Sequence, residues 1–406
     1  MRIEEFDPAA DDRKVNACYQ MYVAGLPADD PDGPPMSERV FTAWMREGWA
    51  GERRETTLAA DTGGGWAGWY LLELPDRKNT HMSELTVMVA PARRRHGLGG
   101  TLLRHAAARA AAHDRILLSA QTRRGAPGSA FASSMSARAG VVQVRRVLEL
   151  AGIPAGKLAG LRDRAEAAAG GYSLLSWTGD TPQEYLDEVA RVSAAMADAP
   201  RNPGEEAHRP DPQRIREYER RGAEVGIRRH AVAARYDRTG ELAGLTEVGV
   251  EAEDPTWGYQ FITAVTREHR GHRLGLLVKV AMLDLLADAE PAMRRILTEN
   301  ADSNQYMIDI NATLGFEVLD EWQSWELDVA AVPQDQPAGA RAVTRTQCSK
   351  AGRPEPARGN PDAVQQGWSA PARAVTRTRG SWASRPEPAR GNPDAVQQGW
   401  SAPSAR

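Results

Sequence analysis

Ten residues, Pro91-Ala92-Arg93-Arg94-Arg95-His96-Gly97-Leu98-Gly99-Gly100, combine the types that hold an anion on backbone donors. Their glycines permit a tight turn and a close approach of the main chain. The turn opens a helix predicted over Leu98–His113, whose first N–H groups have no intrahelical partners. The helix dipole adds roughly half a positive charge at that end. Each bond from such a donor to a charged phosphate contributes about 1.5–3 kcal/mol. Four or five of them hold a pyrophosphate, with Arg94 and Arg95 as supplementary ion partners. A second stretch, Val265-Thr266-Arg267-Glu268-His269-Arg270-Gly271-His272-Arg273-Leu274-Gly275-Leu276, repeats the arrangement. It places Arg273 where the first has Gly97, and an ordinary backbone conformation is expected of that arginine.

Other chemistries fit less well. A dinucleotide fingerprint needs G-x-G-x-x-G in the first turn of a βαβ unit, with an acid about 20 residues on. Here the pattern is Arg-x-x-Gly-x-Gly-Gly, and it follows an antiparallel-looking meander. No His/Cys/Asp/Glu cluster has metal spacing and no Gly-x-Ser-x-Gly elbow occurs, so neither a metal nor a serine nucleophile is expected.

The elements that must position these loops occur in the same order twice. The first set is a strand Arg2–Phe6, helices Ala10–Gly25 and Ser37–Trp49, and strands Glu55–Ala60, Gly65–Leu74 and Glu84–Val89. After the loop come Leu98–His113, a strand Arg115–Ala120 and a helix Ser129–Arg138. The second set is a strand Tyr172–Trp177, a helix Thr181–Ala197 opened by a Thr cap with Glu184 three residues on, and a helix Gln213–Arg221. Strands His230–Tyr236, Gly244–Gly249 and Tyr259–Val265 follow. The helix Leu274–Ala287 has apolar residues at helical spacing. A strand Ile296–Glu299, a helix Ser303–Leu314 and a strand from Phe316 complete the set. The sequence thus predicts two α/β domains in tandem, 1–150 and 172–331, joined by a linker at 151–171. Each is a mixed, mostly antiparallel sheet flanked by helices.

From residue 332 to 406 the composition changes. A 32-residue unit occurs twice, with RPEPARGNPDAVQQGWSAP at 353–371 and again at 385–403. Rich in Pro, Gly, Ala and Arg and without apolar periodicity, it cannot offset its ordering entropy, and a disordered tail is expected. The net charge is −3, which leaves no field favouring nucleic acid or an anionic membrane. Cys18 and Cys348 are the two cysteines, too few for a disulfide framework. Met1-Arg2-Ile3-Glu4-Glu5 has no apolar run of a signal peptide, and no apolar stretch is long enough to span a bilayer. A cytoplasmic protein is expected.

With its flanking strand, the first loop reads V-x-P-x-x-R-R-x-G-x-G and resembles the acetyl-CoA motif of the GNAT N-acetyltransferases, [Q/R]-x-x-G-x-[G/A], matched by Arg94, Gly97 and Gly99. The second loop resembles it except at Arg273. Thr298-Glu299-Asn300-Ala301-Asp302-Ser303-Asn304, followed by Asn311 and Leu314-Gly315-Phe316, resembles the family's fifth strand and next helix. The resemblance implies an acyl-CoA N-acyltransferase fold and acetyl-CoA as donor. The donor would be held by Val87, Val89, Arg94, Arg95, His96, Gly97, Leu98, Gly99, Gly100 and Thr101. The matching set in the second half is Val265, Arg270, Gly271, His272, Arg273, Leu274, Gly275, Asn300 and Asn304.

The same resemblance implies a glutamate base on the fourth strand, a place taken by Glu84. Glu299 and Glu247 are the candidates in the second half. The family's usual tyrosine acid has no counterpart, since the corresponding positions are Ser136 and Asn311. The loops Ala28-Asp29-Asp30-Pro31-Asp32 and Pro203-Gly204-Glu205-Glu206 fall where the family roofs its acceptor pocket, and their acids would attract a cation. The expected acceptor is a small-molecule primary amine, such as an antibiotic or metabolite. A protein amine, or a module that binds the donor without turnover, are the alternatives. Neither nucleic acid nor membrane is an expected partner, and the chain is expected to be a monomer or homodimer. The intact Asn300, Asn304 and Leu314-Gly315-Phe316 segment tilts the catalytic assignment to the second half.

Overall fold

The computed structural model describes residues 1–47, 53–202, 204–207 and 209–332. The repeat copies and Cys348 lie outside the described residues.

Strand β1 (Arg2–Phe6) leads to helix α1 (Asp12–Asp29), whose start is fixed by Asp11 accepting a bond from the Lys14 N–H. Helix α2 (Glu38–Glu47) follows, then an antiparallel meander of β2 (Arg53–Ala60), β3 (Trp66–Leu74) and β4 (Met82–Val89). Asp61 and Gly64, the latter at φ 83°, turn the chain between β2 and β3. Next come α3 (Leu98–Ala112), β5 (Leu117–Arg123), α4 (Pro127–Ser134) and β6 (Arg138–Glu149). The helix predicted over Ser129–Arg138 is shorter, and residues 139–150, for which the sequence predicts no element, are mostly strand. The chain leaves helix at Ser136, at φ 60°, and 12 residues form a strand.

Residues 151–171 carry α5 (Lys157–Ala168), which buries Leu161 and Ala165 in the core of the following half. That half consists of β7 (Tyr172–Thr178), α6 (Leu186–Ser193), α7 (Pro212–Glu224), β8 (Ile227–Tyr236), β9 (Leu242–Glu251), β10 (Trp257–Val265), α8 (Leu274–Ala289), β11 (Arg295–Ala301), α9 (Gln305–Leu314) and β12 (Glu317–Asp328). The expected Thr181 cap does not form. The Thr181 N–H donates to Glu219 across the fold, and α6 starts at Leu186 after a short 3₁₀ turn.

Among the described residues, twelve strands make one sheet in the order β1-β2-β3-β4-β5-β12-β6-β11-β10-β9-β8-β7. Neighbours are antiparallel except at β4–β5 and β10–β11, which run parallel. The two halves repeat each other with one exchange: β12, from the end of the second half, pairs with β5 of the first. Strand β6, from the first half, pairs with β11 of the second, and β6 and β12 pair with each other at the centre.

Each half packs its long helix on one face and its first two helices on the other. In the first half, Leu102, Leu103 and Ala106 of α3 meet Tyr70, Leu72 and Leu85. On the opposite face Val15, Phe41 and Trp44 meet Leu58, Trp69 and Leu71. The second half repeats this with α8 against Val248, Val250 and Val265, and α6 against Leu245, Ile262 and Ala264.

One polar tie is duplicated with its charges exchanged. Glu55 on β2 binds Arg109 and His113 at the end of α3. Its counterpart is Glu290, after α8, which binds Arg228 and His230 on β8. The Arg228 guanidinium, helped by His230 and opposed by burial, holds the Glu290 carboxyl below the usual carboxylate range.

Candidate functional site

Parallel pairing of β4 with β5 is limited to Met82↔Leu117, Ser83↔Leu118 and Glu84↔Ser119. Beyond Glu84 the ladder ends, and the main chain at Val87 and Val89 faces a wedge instead of a partner strand. The second half is built alike: β10 and β11 pair only at Trp257↔Arg295, Gly258↔Ile296 and Tyr259↔Leu297. A bulge at Gln260 to Ile262 then shifts the register of β10, and Val265 and Asn300 border the second wedge. Strand edges with unspent N–H and C=O groups can take an extended, amide-bearing ligand much as they would take another strand.

At the mouth of each wedge a helix begins without a side-chain cap. Gly97 precedes α3 at φ 81° and Arg273 precedes α8 at φ 53°. The N–H groups of Leu98, Gly99 and Gly100, and of Leu274 and Gly275, therefore point outward with the positive end of the dipole. A Cβ on Gly97 would meet nothing within 4 Å, so the glycine is there for its backbone angle. Gly99 is different, since a Cβ there would press on the Phe131 ring at 3.2 Å. Gly275 repeats this against Ile310 at 3.0 Å. Thr101 donates to the Gly97 carbonyl and tightens the first turn of α3.

The left-handed angle at Arg273 departs from the ordinary conformation expected of it. Both loops need two left-handed residues, Arg95 (φ 67°) with Gly97 and Gly271 (φ 93°) with Arg273. Each loop supplies a glycine at one of the two positions, and the choice is reversed between them. The left-handed conformation costs a non-glycine residue roughly 1–2 kcal/mol. Arg273→Gly is accordingly expected to raise stability, by about 0.5–1 kcal/mol after the entropy glycine loses on folding. Urea unfolding of the two proteins at one pH checks this, and a lower midpoint for the variant would contradict it.

Arg94 and Arg270 do not face outward with the loops. Arg94 donates to both Asp29 oxygens, at 3.0 and 2.6 Å, and through Nε to the Val89 carbonyl at 3.0 Å. Arg270 reaches Asp198 at 2.6 Å and the Val265 carbonyl at 3.4 Å. Each guanidinium staples its loop to the preceding helical segment, and its charge is matched there. The side chains left at the surface of the loops are Arg95, His96, His272 and Arg273. Tyr306, on α9, lies within the influence of Arg273 and Arg270, which oppose the upward push of burial on its hydroxyl.

The opposite face of the sheet separates the halves. Glu84, Ser119 and Glu326 are register partners across β4, β5 and β12, so their side chains share one face. Glu84 is exposed, and its neighbour Glu73 on β3 is tied to Arg54. In the second half the same row reads Tyr259, Leu297 and Val147, packed with Trp257, Phe261 and Leu319.

Glu247 lies 3.6 Å from Arg229, and burial pushes its carboxyl up against the pull of that arginine. Glu299 is the register partner of Arg145. Asn311 donates to Asn300 at 2.8 Å, and Asn304 caps α9 by accepting from the Met307 N–H at 3.3 Å. Asn300 and Asn304 are expected ligand contacts, and here both side-chain carbonyls serve the fold.

The two roofing loops also differ from expectation. Asp29 is spent on Arg94, and Asp30 pairs with Arg145 of β6, Nη1 to Oδ2 at 3.0 Å. The loop of the second half lies against the first: Asn202 accepts from the Val141 N–H at 2.7 Å, and the Glu206 N–H donates to Asn79. Ser119 and Glu326 went unnoticed in the sequence, since neither belongs to a motif and only strand exchange sets them beside Glu84. Among the described residues no group of three or more His, Cys, Asp or Glu could hold a metal ion. No described helix is long and apolar enough to cross a membrane.

Residues 16–126 match the model of the acetyltransferase (GNAT) family. A tandem GNAT protein from the clavulanic acid biosynthesis pathway, solved without AcCoA, is 28% identical. The match covers 81% of this chain and 98% of that one, with a TM-score of 0.67. A GCN5-related N-acetyltransferase from Sphaerobacter thermophilus shares the fold at 14% identity, over 81% of this chain and 95% of its own, with a TM-score of 0.59. No curated protein matches.

Proposed function

Because the chain is a tandem-domain GNAT acetyltransferase, we propose that it moves an acetyl group from acetyl-CoA to the primary amine of a small molecule, and that the first half performs the transfer. The observation that carries this reading is Glu84, exposed on the face opposite α3 at the point where the β4–β5 ladder ends. Reversing the tilt of the sequence reading, the assignment prefers the first half because Asn300 and Asn304 are engaged in the fold and Tyr259 stands at the place of Glu84.

The uncapped start of α3, the open space beside Gly97 and the unpaired edge of β4 suit a ligand with a diphosphate end and an extended arm. Leu98, Gly99 and Gly100 would hold the diphosphate, with Arg95 and His96 beside it, and Val87 and Val89 would hold the arm. The bound donor supplies a thioester carbon activated toward nitrogen nucleophiles. Glu84 accepts a proton from the acceptor ammonium, which frees the nitrogen lone pair. Backbone N–H groups at the edge of β4 face the wedge, where negative charge develops on the acyl oxygen. In the second half the loop Gly271, His272, Arg273, Leu274 and Gly275 keeps the donor-binding design over an apolar row. That half is read as holding the donor without turnover.

Coenzyme A release against a panel of small amines tests the proposal, with Gly97→Asp and Arg273→Asp, at the matched left-handed positions of the two loops, made separately. Gly97→Asp sets a carboxylate at the donor end of α3 and is expected to abolish release, while Arg273→Asp leaves most of it. The reverse pattern would move the chemistry to the second half. Release with a peptide N-terminus or lysine, but with no small amine, would favour a protein acceptor.

A further inference from the structure

The polar row on the face opposite α3 is assembled from distant parts of the chain. Glu84 and Ser119 belong to the first half, and Glu326 arrives on the exchanged strand β12. Glu326 is only 9% exposed, and its Oε1 is buried without a hydrogen-bond partner. Its other oxygen lies 3.5 Å from Arg138, whose second nitrogen is committed to Asp328 at 2.9 Å. A buried carboxylate oxygen lacking a donor is costly to a fold. The roof over it is Gly204, from the loop of the second half. A Cβ at Gly204 would sit 3.8 Å from Oε1, 3.7 Å from Leu117 and 3.9 Å from the His81 ring. The carboxylate is thus covered there by main chain and not by a side chain.

We propose that Glu326 receives a second cationic group of the acceptor, so that the substrate of the first half is a linear diamine. One nitrogen is presented to Glu84 and the other is held at Glu326. The inference rests on the reading of Glu84 as the base. Adjacent strands lie about 4.8 Å apart, which sets the Cα atoms of Glu84 and Glu326 roughly 10 Å apart and their carboxylates within reach of nitrogens about 6–8 Å apart. A chain of four or five methylenes has about that span. Ser119, between the two acids, faces the middle of such a chain. The corresponding Leu297 and Val147 offer a diamine neither charge nor hydrogen bond.

The test compares 1,4-diaminobutane with butylamine, which has the same carbon chain and one nitrogen fewer. Acetyl transfer is measured as kcat/KM, and binding by calorimetry without donor. The intact protein is expected to prefer the diamine by about tenfold or more, the scale of one charge-assisted hydrogen bond. Glu326→Gln should bring that ratio to within about twofold by raising KM for the diamine. Arg138→Gln removes the competing guanidinium and should raise the ratio. Melting curves establish that both variants are folded.

An unchanged ratio in Glu326→Gln, with both amines still acetylated, would overturn the diamine site alone. If diaminobutane binds in a Glu326-dependent manner and neither amine is acetylated, the diamine site stands and the amine-transfer reading falls.

Discussion

Glu84→Gln is expected to lower kcat for amine acetylation by about 10²–10⁴-fold, the usual contribution of a positioned general base. The amide keeps the size of the carboxylate and cannot accept the ammonium proton. KM for the donor should change little, because the α3 loop and the β4 edge are untouched. The melting temperature should hold as well, since Glu84 is exposed and lies at the end of a ladder. Glu247→Gln and Glu299→Gln serve as internal comparisons. Glu247 is held beside Arg229 and Glu299 is paired in register with Arg145, so both substitutions should leave kcat within about threefold. Steady-state rates for the three variants with one amine decide the matter. A collapse of kcat in Glu299→Gln with Glu84→Gln near the intact rate would transfer catalysis to the second half.

The largest loss of stability is expected from Arg145→Ala. Arg145 is 8% exposed at the centre of the sheet, where Nε donates to Asp320 at 2.7 Å and Nη1 to Asp30 at 3.0 Å. Its guanidinium also lies 4.9 Å from the centre of the Trp322 ring. Burial works against the charge, yet the Asp320 and Asp30 carboxylates keep the guanidinium above its ordinary range. Removing one partner of such a buried group leaves the others uncompensated and costs about 3–5 kcal/mol. Arg145→Ala strands two carboxylates at once and should fall at the upper end. Adding Asp30→Asn and Asp320→Asn to Arg145→Ala should recover a large part of the loss. Urea titration of the single and triple variants measures both. A loss below about 1 kcal/mol would show the cluster to be solvated like a surface pair.

Much of this architecture was legible because its signals are local. The apolar run of β3, helical spacing in α8 and the glycines before α3 each reside in a dozen residues or fewer. The repetition of the same order of elements announced a duplicated fold. Strand β6 was illegible for a physical reason. Its V-V-Q-V-R-R-V-L-E run carries adjacent arginines that look like a solvated surface. Arg145 and Arg146 are buried only because β11 and β12, from far along the chain, close over them.

The candidate site divides in the same way. Loop glycines at a helix start follow from backbone rules, so Gly97 and Gly99 could be picked out from spacing. The ion pairs of Arg94 with Asp29 and Arg270 with Asp198 could not, since a guanidinium at a loop reads identically whether it faces a ligand or a carboxylate. Arg273 shows the limit from the other side. The duplicated loop demands a left-handed residue at that position whatever side chain is there, and only the paired loops reveal the demand.

The exchange of β6 and β12 has a consequence for biosynthesis. When residue 150 has been made, β5 still lacks the neighbour that will cover its outer edge, because that neighbour is residues 317–328. For the synthesis of about 170–180 residues more, at about 5–20 residues per second, the early half waits with an open sheet edge. Such edges are templates for pairing between chains. The contacts that close the sheet, Trp325 opposite Ala120 and Leu327 opposite Leu118, also span two hundred positions, and pairings of that separation are slow to form. The finished sheet is closed by strands from both halves, and the nascent chain carries the burden of a long delay with an edge open to neighbouring copies.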